Sequence, residues 1–118
     1  MVNKRAVGSL FELEAEKYLV GLGYQLIDKN IYTVFGELDL IMQKEEVLFF
    51  VEVKYRSNTN YGTPREALTP KKIQHLKRAS QQYLKTYPKK TAKYKIAFLG
   101  ILKIQGQLQF DFIENILT

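Results

Sequence analysis

The first part of the chain has hydrophobic residues at the three- to four-residue spacing of a helix that buries one face. This spacing predicts a helix over residues 4–22, and Gly21 and Gly23 favour an end at that point. One side of this helix should therefore pack against the rest of the protein. The predicted buried stripe consists of Phe11, Ala15, Tyr18, Leu19 and Leu22.

A second helix is predicted over residues 69–87. Thr69 followed by Pro70 is typical of a helix start, because the hydroxyl caps a free backbone N–H and proline fits the first helical position. Pro88 then ends the helix. The predicted buried face consists of Ile73, Leu76, Ser80, Tyr83, Leu84 and Tyr87. The opposite face forms a basic ridge of Lys71, His75, Arg78, Gln82 and Lys85.

The segment 37–43 alternates as a half-buried strand does. Alternation places Leu38, Leu40 and Met42 on one face and Glu37, Asp39 and Ile41 on the other. After a polar turn, the segment 47–55 is almost continuously apolar, which is typical of a central strand covered on both faces. The two segments should pair as a hairpin.

Three further segments have the composition of strands, namely residues 24–31, 93–104 and 108–113, and residues 56–68 are predicted to be a loop. The element order is therefore α-β-β-β-α-β-β. This order predicts an α/β fold in which a mixed sheet is flanked by two helices. At 118 residues the chain is expected to form one domain, residues 1–118.

Composition excludes several classes of protein. The chain has no cysteine and one histidine, so thiolate zinc sites, disulfide scaffolds and multi-histidine metal sites are excluded. No apolar run approaches the ~18 residues of a membrane span, and the N-terminus lacks the apolar stretch of a signal peptide. A cytoplasmic protein with no membrane partner is expected.

Charge is segregated along the sequence. Between Lys54 and Lys103 there are 13 Lys or Arg residues and a single acid, Glu66, a net charge of +12, whereas the remainder has a net charge of −6. Such a basic segment attracts polyanions, of which nucleic acid is the commonest in a cytoplasm. A basic surface that only keeps the protein soluble is an equal alternative.

The predicted hairpin brings acidic residues together. With its turn centred between residues 45 and 46, Asp39 lies opposite Glu52 and Glu37 lies opposite Lys54, all on one face. Two opposed carboxylates repel each other unless one takes up a proton or a cation binds between them. Oxygen ligands of this kind suit Mg²⁺ or Mn²⁺.

Lys54 shares a face with Glu52 because strand side chains alternate. A lysine next to a metal site can orient the attacking water, help to deprotonate it, or offset charge on the reacting phosphate, so the arrangement suits phosphodiester hydrolysis. The alternative is a hairpin in which the acid and the lysine merely pair. Glu12 on the first helix is either a third acid of the site or a partner in a boundary salt bridge.

Several other side chains are candidates for contact with nucleic acid. Lys71, Arg78 and Lys85 are placed to bind phosphates, although a solvated helix face explains them nearly as well. Tyr32, Tyr55 and Tyr61 lie near the predicted site, where each either stacks on a base or packs in the core.

The hairpin motifs GELDLI (36–41) and FVEVK (50–54) resemble the core of the YraN-like family of uncharacterised bacterial proteins. That family belongs to the restriction-endonuclease-like PD-(D/E)xK superfamily and is similar to archaeal Holliday junction resolvases. The resemblance extends over nearly the whole chain. Phe11, Tyr32 and Lys95 depart from the family pattern, outside the hairpin motifs.

The resemblance implies a restriction-endonuclease-like fold and a role for each motif residue. Asp39, Glu52 and the backbone carbonyl of Val53 would ligate the metal, with Glu12 as a resolvase-like helix acid, and Lys54 would act on the attacking water. Apart from the resemblance, the candidate contacts with nucleic acid are Arg56, Arg65, Lys71, Lys72, Arg78 and Lys85.

The resulting hypothesis is a Mg²⁺- or Mn²⁺-dependent endonuclease that hydrolyses phosphodiesters in branched or structured DNA. A junction has two-fold symmetry and is cut twice, which favours a homodimer. The alternative is a nucleic-acid-binding module on the same fold with little or no catalytic activity. A protein-interaction adaptor is a third interpretation, which predicts no salt-dependent affinity for DNA.

Overall fold

The computed structural model describes residues 4–60, 62–88 and 93–117. Two helices are present in these ranges, α1 (Lys4–Gly21) and α2 (Pro70–Thr86). A short 3₁₀ helix, Pro64–Ala67, lies within the segment predicted as a loop. The strands are β1 (Gln25–Thr33), β2 (Gly36–Lys44), β3 (Val47–Arg56), β4 (Lys93–Ile104) and β5 (Gln107–Ile113). The predicted element order is therefore confirmed.

The strands form one mixed sheet in the order β1-β2-β3-β4-β5. β3 and β4 are parallel, and the other three neighbouring pairs are antiparallel. A parallel pair needs a crossover connection, which is supplied by the segment that contains α2. The prediction of a mixed α/β fold with two helices is confirmed.

The sheet is covered on both faces. The α1 face packs Ala15 and Leu19 of the helix against Leu40 and Val51 of the sheet. The α2 face packs Leu76 and Ala79 against a second set of strand residues that includes Ile41, Leu48, Phe50 and Ile96. β3 contributes to both cores, as expected for a central strand with two covered faces.

The predicted start of α2 is confirmed in detail. Thr69 is the N-cap, and its side chain accepts a hydrogen bond of 3.1 Å from the backbone N–H of Lys72. Pro70 occupies the first helical position. This cap fixes where the first turn of α2 begins, and with it the position of Lys72 over the sheet.

The alternation predicted for β2 is wrong at one point. Leu40 and Met42 pack under α1 as expected, but Leu38 packs with Ile41 under α2. The change of face occurs at Asp39, beside a part of β1 where Asn30 has a φ of 54°. Residues on both sides pair regularly, Lys29 with Leu40 and Ile31 with Leu38. The strands are thus distorted locally, at the residue that carries the central carboxylate.

Within the ranges that the structure describes, neither helix is long and apolar enough to cross a membrane.

Candidate metal centre

The register predicted for the hairpin is confirmed as far as the two strands pair. Leu40 lies opposite Val51, and Ile41 lies opposite Phe50. The ladder ends there, one residue before Asp39 and Glu52 would meet. Beyond it, the backbone N–H of Val53 donates a hydrogen bond of 2.8 Å to Oδ2 of Asp39. The carboxylate of Asp39 thus takes the place of a backbone acceptor where the strands separate.

Asp39 is the central group of the site. Its side chain is almost completely buried, at 9% exposure. Burial raises the pKa of Asp39 to about 9, and the charge and hydrogen-bond contact of Glu52 and the charge of Glu12 contribute to the increase. The hydrogen bond from Val53 acts in the opposite direction. In the absence of a cation this carboxyl therefore retains its proton at neutral pH.

Two further acids approach Asp39 from the α1 side. Carboxylate oxygens of Glu12, Glu37 and Asp39 all lie within 4.8 Å of one another. Burial raises the pKa of Glu12 as well, followed in size by the charges of Glu37 and Glu52. Glu37 was expected to lie opposite Lys54, but the β2–β3 ladder ends at Leu40 and Val51, and the Glu37 carboxylate joins Glu12. The early end of the β2–β3 ladder accounts for this correction.

Asn30 links two of these acids. In the amide orientation that satisfies its neighbours, the side-chain nitrogen donates to Oε2 of Glu12 at 2.8 Å and to Oε1 of Glu37 at 3.1 Å. The left-handed backbone conformation of Asn30 is one that asparagine adopts more readily than most residues. This residue holds the two carboxylates in place without neutralising either of them.

The spacing and chemistry of the three carboxylates fit a hard divalent cation. Their carboxylate oxygens lie within 4.8 Å of one another, and carboxylate oxygens are the ligands that Mg²⁺ and Mn²⁺ prefer. A cation would also offset the repulsion that raises the pKa of Asp39 and of Glu12.

Glu52 and Lys54 lie on the α2 side of the same strand, which confirms that they share a face. Together with Lys72 they line a cavity of about 170 Å³, closed by Ala67, Leu68 and Phe98. Nζ of Lys72 lies 3.1 Å from Oε2 of Glu52. Glu52 is therefore placed between Asp39 on one side and an ammonium group on the other.

The other predicted nucleic-acid contacts are spread over the surface. Arg65 makes two hydrogen bonds to Asp111, from Nε at 3.0 Å and from Nη2 at 2.6 Å, so its guanidinium already has an anionic partner. Lys71 is exposed, and Arg78 and Lys85 line a groove with the β1–β2 turn. Arg56 ends β3, with its Nε buried.

The three tyrosines have different positions. Tyr55 stacks on Phe11 with ring centroids 3.5 Å apart, which is core packing. Tyr32 is 76% exposed at the end of β1. Tyr61 lies outside the described residues.

Sequence reasoning missed Glu37 and Asn30 as members of the site. The signal for Glu37 was present, because the predicted alternation already put it on the face of Asp39, although opposite Lys54 rather than beside Glu12. Asn30 gave no comparable signal, since its role depends on a backbone conformation and on two partners distant in sequence.

A five-stranded sheet between two helices, with the buried Asp39 and two partly buried glutamates at the end of its central hairpin, defines an α/β protein with a candidate cation-binding site. The chain belongs to the uncharacterised protein family UPF0102, whose family model matches residues 11–114. That match includes Glu12, Glu37, Asp39, Glu52 and Lys54.

Individual relatives support the same assignment. The chain is 39% identical to the UPF0102 protein of Syntrophomonas wolfei over 111 residues, which are 94% of this chain and 96% of the relative. It is 31% identical to the UPF0102 protein of Dehalococcoides mccartyi over 115 residues, which are 98% of this chain and 95% of that relative. Identity to a Vibrio parahaemolyticus UPF0102 protein is 40% over 84 residues, covering 71% of this chain and 69% of the relative.

Proposed function

We propose that this protein is a Mg²⁺- or Mn²⁺-dependent endonuclease that cleaves branched or structured DNA, on a fold of the restriction-endonuclease-like PD-(D/E)xK type. The observation that carries the proposal is the buried carboxyl of Asp39, on which the carboxyls of Glu12, Glu37 and Glu52 converge where β2 and β3 separate. Such a cluster is costly to a fold unless it binds a cation or takes up a proton.

Each residue of this site has a separate role in the proposed hydrolysis. Asp39, with Glu37 and Glu12, would hold the cation, and Glu52 and the backbone carbonyl of Val53 would complete the set of oxygen ligands. A bound divalent cation neutralises phosphate oxygens and makes water more acidic. Lys54, in the cavity beside Glu52, donates hydrogen bonds to the attacking water or to the phosphate. Lys72 offsets the charge of Glu52.

Three features support DNA as the substrate. The segment from Lys54 to Lys103 has a net charge of +12, which favours a polyanion. Lys71 is exposed next to the cavity residue Lys72 at the start of α2. The likeness of the hairpin motifs to those of Holliday junction resolvases favours a branched substrate and a homodimer that makes two symmetrical cuts.

The proposal is tested with purified protein and labelled linear, nicked and four-way DNA, in Mg²⁺, Mn²⁺ or EDTA. Cleavage of at least one structured DNA in metal but not in EDTA is expected. Asp39→Asn and Glu52→Gln should reduce the cleavage rate at least 100-fold and leave DNA affinity within about twofold. Glu46→Gln is the matched control, because Glu46 is exposed in the β2–β3 turn.

Two results would contradict the proposal. One is cleavage that persists unchanged in both site variants, which would mean that a contaminating nuclease is responsible. The other is tight DNA binding without cleavage under any metal, which would identify the protein as a catalytically inactive binding module.

A further inference from the structure

A groove of about 640 Å³ lies on the α2 side of the molecule, separate from the carboxylate cluster. One wall is the outer face of α2, and the other is the turn between β1 and β2. Its lining residues are Val34, Phe35, Arg78, Gln81, Gln82 and Lys85.

The two walls have complementary chemistry. Arg78, Gln81, Gln82 and Lys85 have the i, i+3, i+4, i+7 spacing that places side chains on one helix face. They offer two cations and two amides, and none of the described residues that line the groove is acidic. The turn supplies an aromatic ring, and the guanidinium of Arg78 lies over Phe35 at 6.0 Å from the ring centroid. A groove that combines cations, amides and an aromatic ring suits the phosphates and the bases of a nucleic acid.

Apolar and aromatic side chains in and beside the β1–β2 turn are exposed to solvent. Val34 is 84% exposed, Phe35 is 37% exposed, and Tyr32 at the same hairpin end is 76% exposed. The turn itself is held by Thr33, whose hydroxyl donates to the Gly36 carbonyl at 2.8 Å and accepts from the Phe35 N–H at 3.1 Å. The apolar surface is therefore presented on an ordered turn.

The groove is connected to the carboxylate cluster through β2. Phe35 and Glu37 are two residues apart, so their Cα atoms are at most about 7 Å from each other. On the other wall, Lys71, next to the cavity residue Lys72, begins the basic ridge of α2 that continues to Lys85, about 20 Å along the helix axis.

We propose that this groove binds unpaired nucleotides, with a base stacked on Phe35 and its phosphates held by Arg78 and Lys85. The inference deepens the proposed nuclease function, on which it rests, by assigning a single-stranded segment next to the scissile bond as part of the substrate. Bases within a duplex are stacked on each other and do not offer a face to a protein ring, so the groove discriminates against fully paired DNA.

The test uses the fact that the chain contains no tryptophan. Phe35→Trp introduces a single fluorophore into the groove, and its emission is titrated with ten-nucleotide oligothymidine, with a blunt duplex and with polyglutamate, all in EDTA. Oligothymidine should quench the emission strongly, and the other two should not. Leu10→Trp places the fluorophore on the exposed face of α1, where Leu10 is 63% exposed, and should not respond.

The affinity of substituted proteins for oligothymidine provides a second measurement. Phe35→Leu keeps apolar bulk without a stacking ring and should weaken binding of oligothymidine about tenfold. Arg78→Gln should weaken it about fivefold, whereas Lys77→Gln, the same charge change at an exposed neighbour on α2, should change it less than twofold. Thermal unfolding of each variant shows that the effect is not a loss of fold.

Failure of this inference is distinguishable from failure of the nuclease proposal. Equal quenching at both fluorophore positions, equal effects of the Arg78 and Lys77 changes, or quenching by polyglutamate would overturn the groove assignment and leave cleavage untouched. Absence of cleavage on every DNA, with quenching restricted to Phe35→Trp, would overturn the nuclease and leave the nucleotide groove standing.

Discussion

At the scale of single residues, Asp39 determines the behaviour of the site. A carboxyl that is almost fully buried and has other acids as neighbours is stable only when protonated or bound to a cation. The same residue accepts a hydrogen bond from Val53 and so also holds the end of the hairpin. Its chemistry and its structural role are inseparable.

This state of Asp39 predicts how stability varies with pH in EDTA. The folded protein keeps the proton up to the raised pKa of about 9, whereas an unfolded aspartate loses it near pH ~3.9. The folded state thus binds more protons between these values, and the free energy of unfolding should fall as pH rises from about 4 to about 9, by at most about 1.4 kcal/mol per pH unit.

Asp39→Asn removes the titrating group and should flatten this profile. In urea unfolding at pH 4 the variant and the parent should differ little, and at pH 8 the variant should be the more stable. Glu46→Gln changes an exposed carboxyl in a turn and should leave the slope as it is. An unchanged slope in Asp39→Asn would mean that Asp39 does not carry the extra proton.

Glu37 gives a second prediction at the scale of single residues, because its position in the structure and the roles inferred from the sequence disagree. Its carboxylate lies in the cluster with Glu12 and Asp39, although the family resemblance implied no role for it. Mn²⁺ at about 100 times its dissociation constant should stabilise the parent by about 2.7 kcal/mol. Glu37→Gln should remove at least half of this effect, measured as the metal-induced shift in thermal unfolding, whereas Glu46→Gln should retain it.

At the scale of elements, local signals predicted most of what the structure contains. The Thr69–Pro70 start of α2 follows from one hydroxyl and one fixed φ angle, and both act within a single turn. The hairpin register follows from the position of its polar turn, since turn geometry fixes which residues pair.

The distortion at Asp39 was not predictable in this way. Leu38 changes face because Asn30 adopts a positive φ on the neighbouring strand and because the β2–β3 ladder ends early. Both depend on residues distant in sequence, whereas alternation is a rule about neighbours in one strand. The placement of Glu37 with Glu12, rather than with Lys54, has the same origin.

Gly100 of β4 gives a prediction at this scale, since it determines how the segment before α2 lies on the sheet. A Cβ at this position would come within 2.9 Å of Cβ of Pro64 and 3.1 Å of the Phe98 ring. Pro64 is a rigid, buried part of the 3₁₀ helix and cannot yield as a flexible side chain would. Gly100→Ala should therefore cost about 1–3 kcal/mol of unfolding free energy, measured by urea denaturation.

The same substitution should affect the cavity beside Glu52. That cavity is lined by Ala67, Leu68 and Lys72, which lie three to eight residues after Pro64 in the chain. A displaced 3₁₀ helix moves Lys72 away from Glu52, so cleavage should decrease more than DNA binding. Unaltered stability in Gly100→Ala would show that Pro64 is not held against the sheet.

At the scale of the whole molecule, acidic and basic regions meet at the candidate site. The carboxylates come from α1, β2 and β3, and the basic residues lie mainly on α2 and the strands beside it. A polyanion attracted by the basic region is repelled by the carboxylates until a cation neutralises them. Bound DNA should therefore raise the affinity for the metal, and bound metal should raise the affinity for DNA. Titrating Mn²⁺ with and without a non-cleavable junction measures this change in metal affinity.

The basic ridge of α2 gives a prediction about how DNA affinity depends on salt, because each phosphate contact releases counterions. Affinity of the Asp39→Asn variant for duplex DNA should fall linearly with salt on logarithmic axes, and each lost contact should reduce that slope by about 0.9. Adding Lys71→Gln should show this reduction, since Lys71 is exposed on the first turn of α2. Lys103→Gln removes the same charge at the exposed end of β4 and should leave the slope unchanged. Only a lysine that contacts a phosphate releases condensed counterions, so only its loss changes the slope. Equal slopes for all three proteins would therefore mean that duplex DNA does not lie along α2.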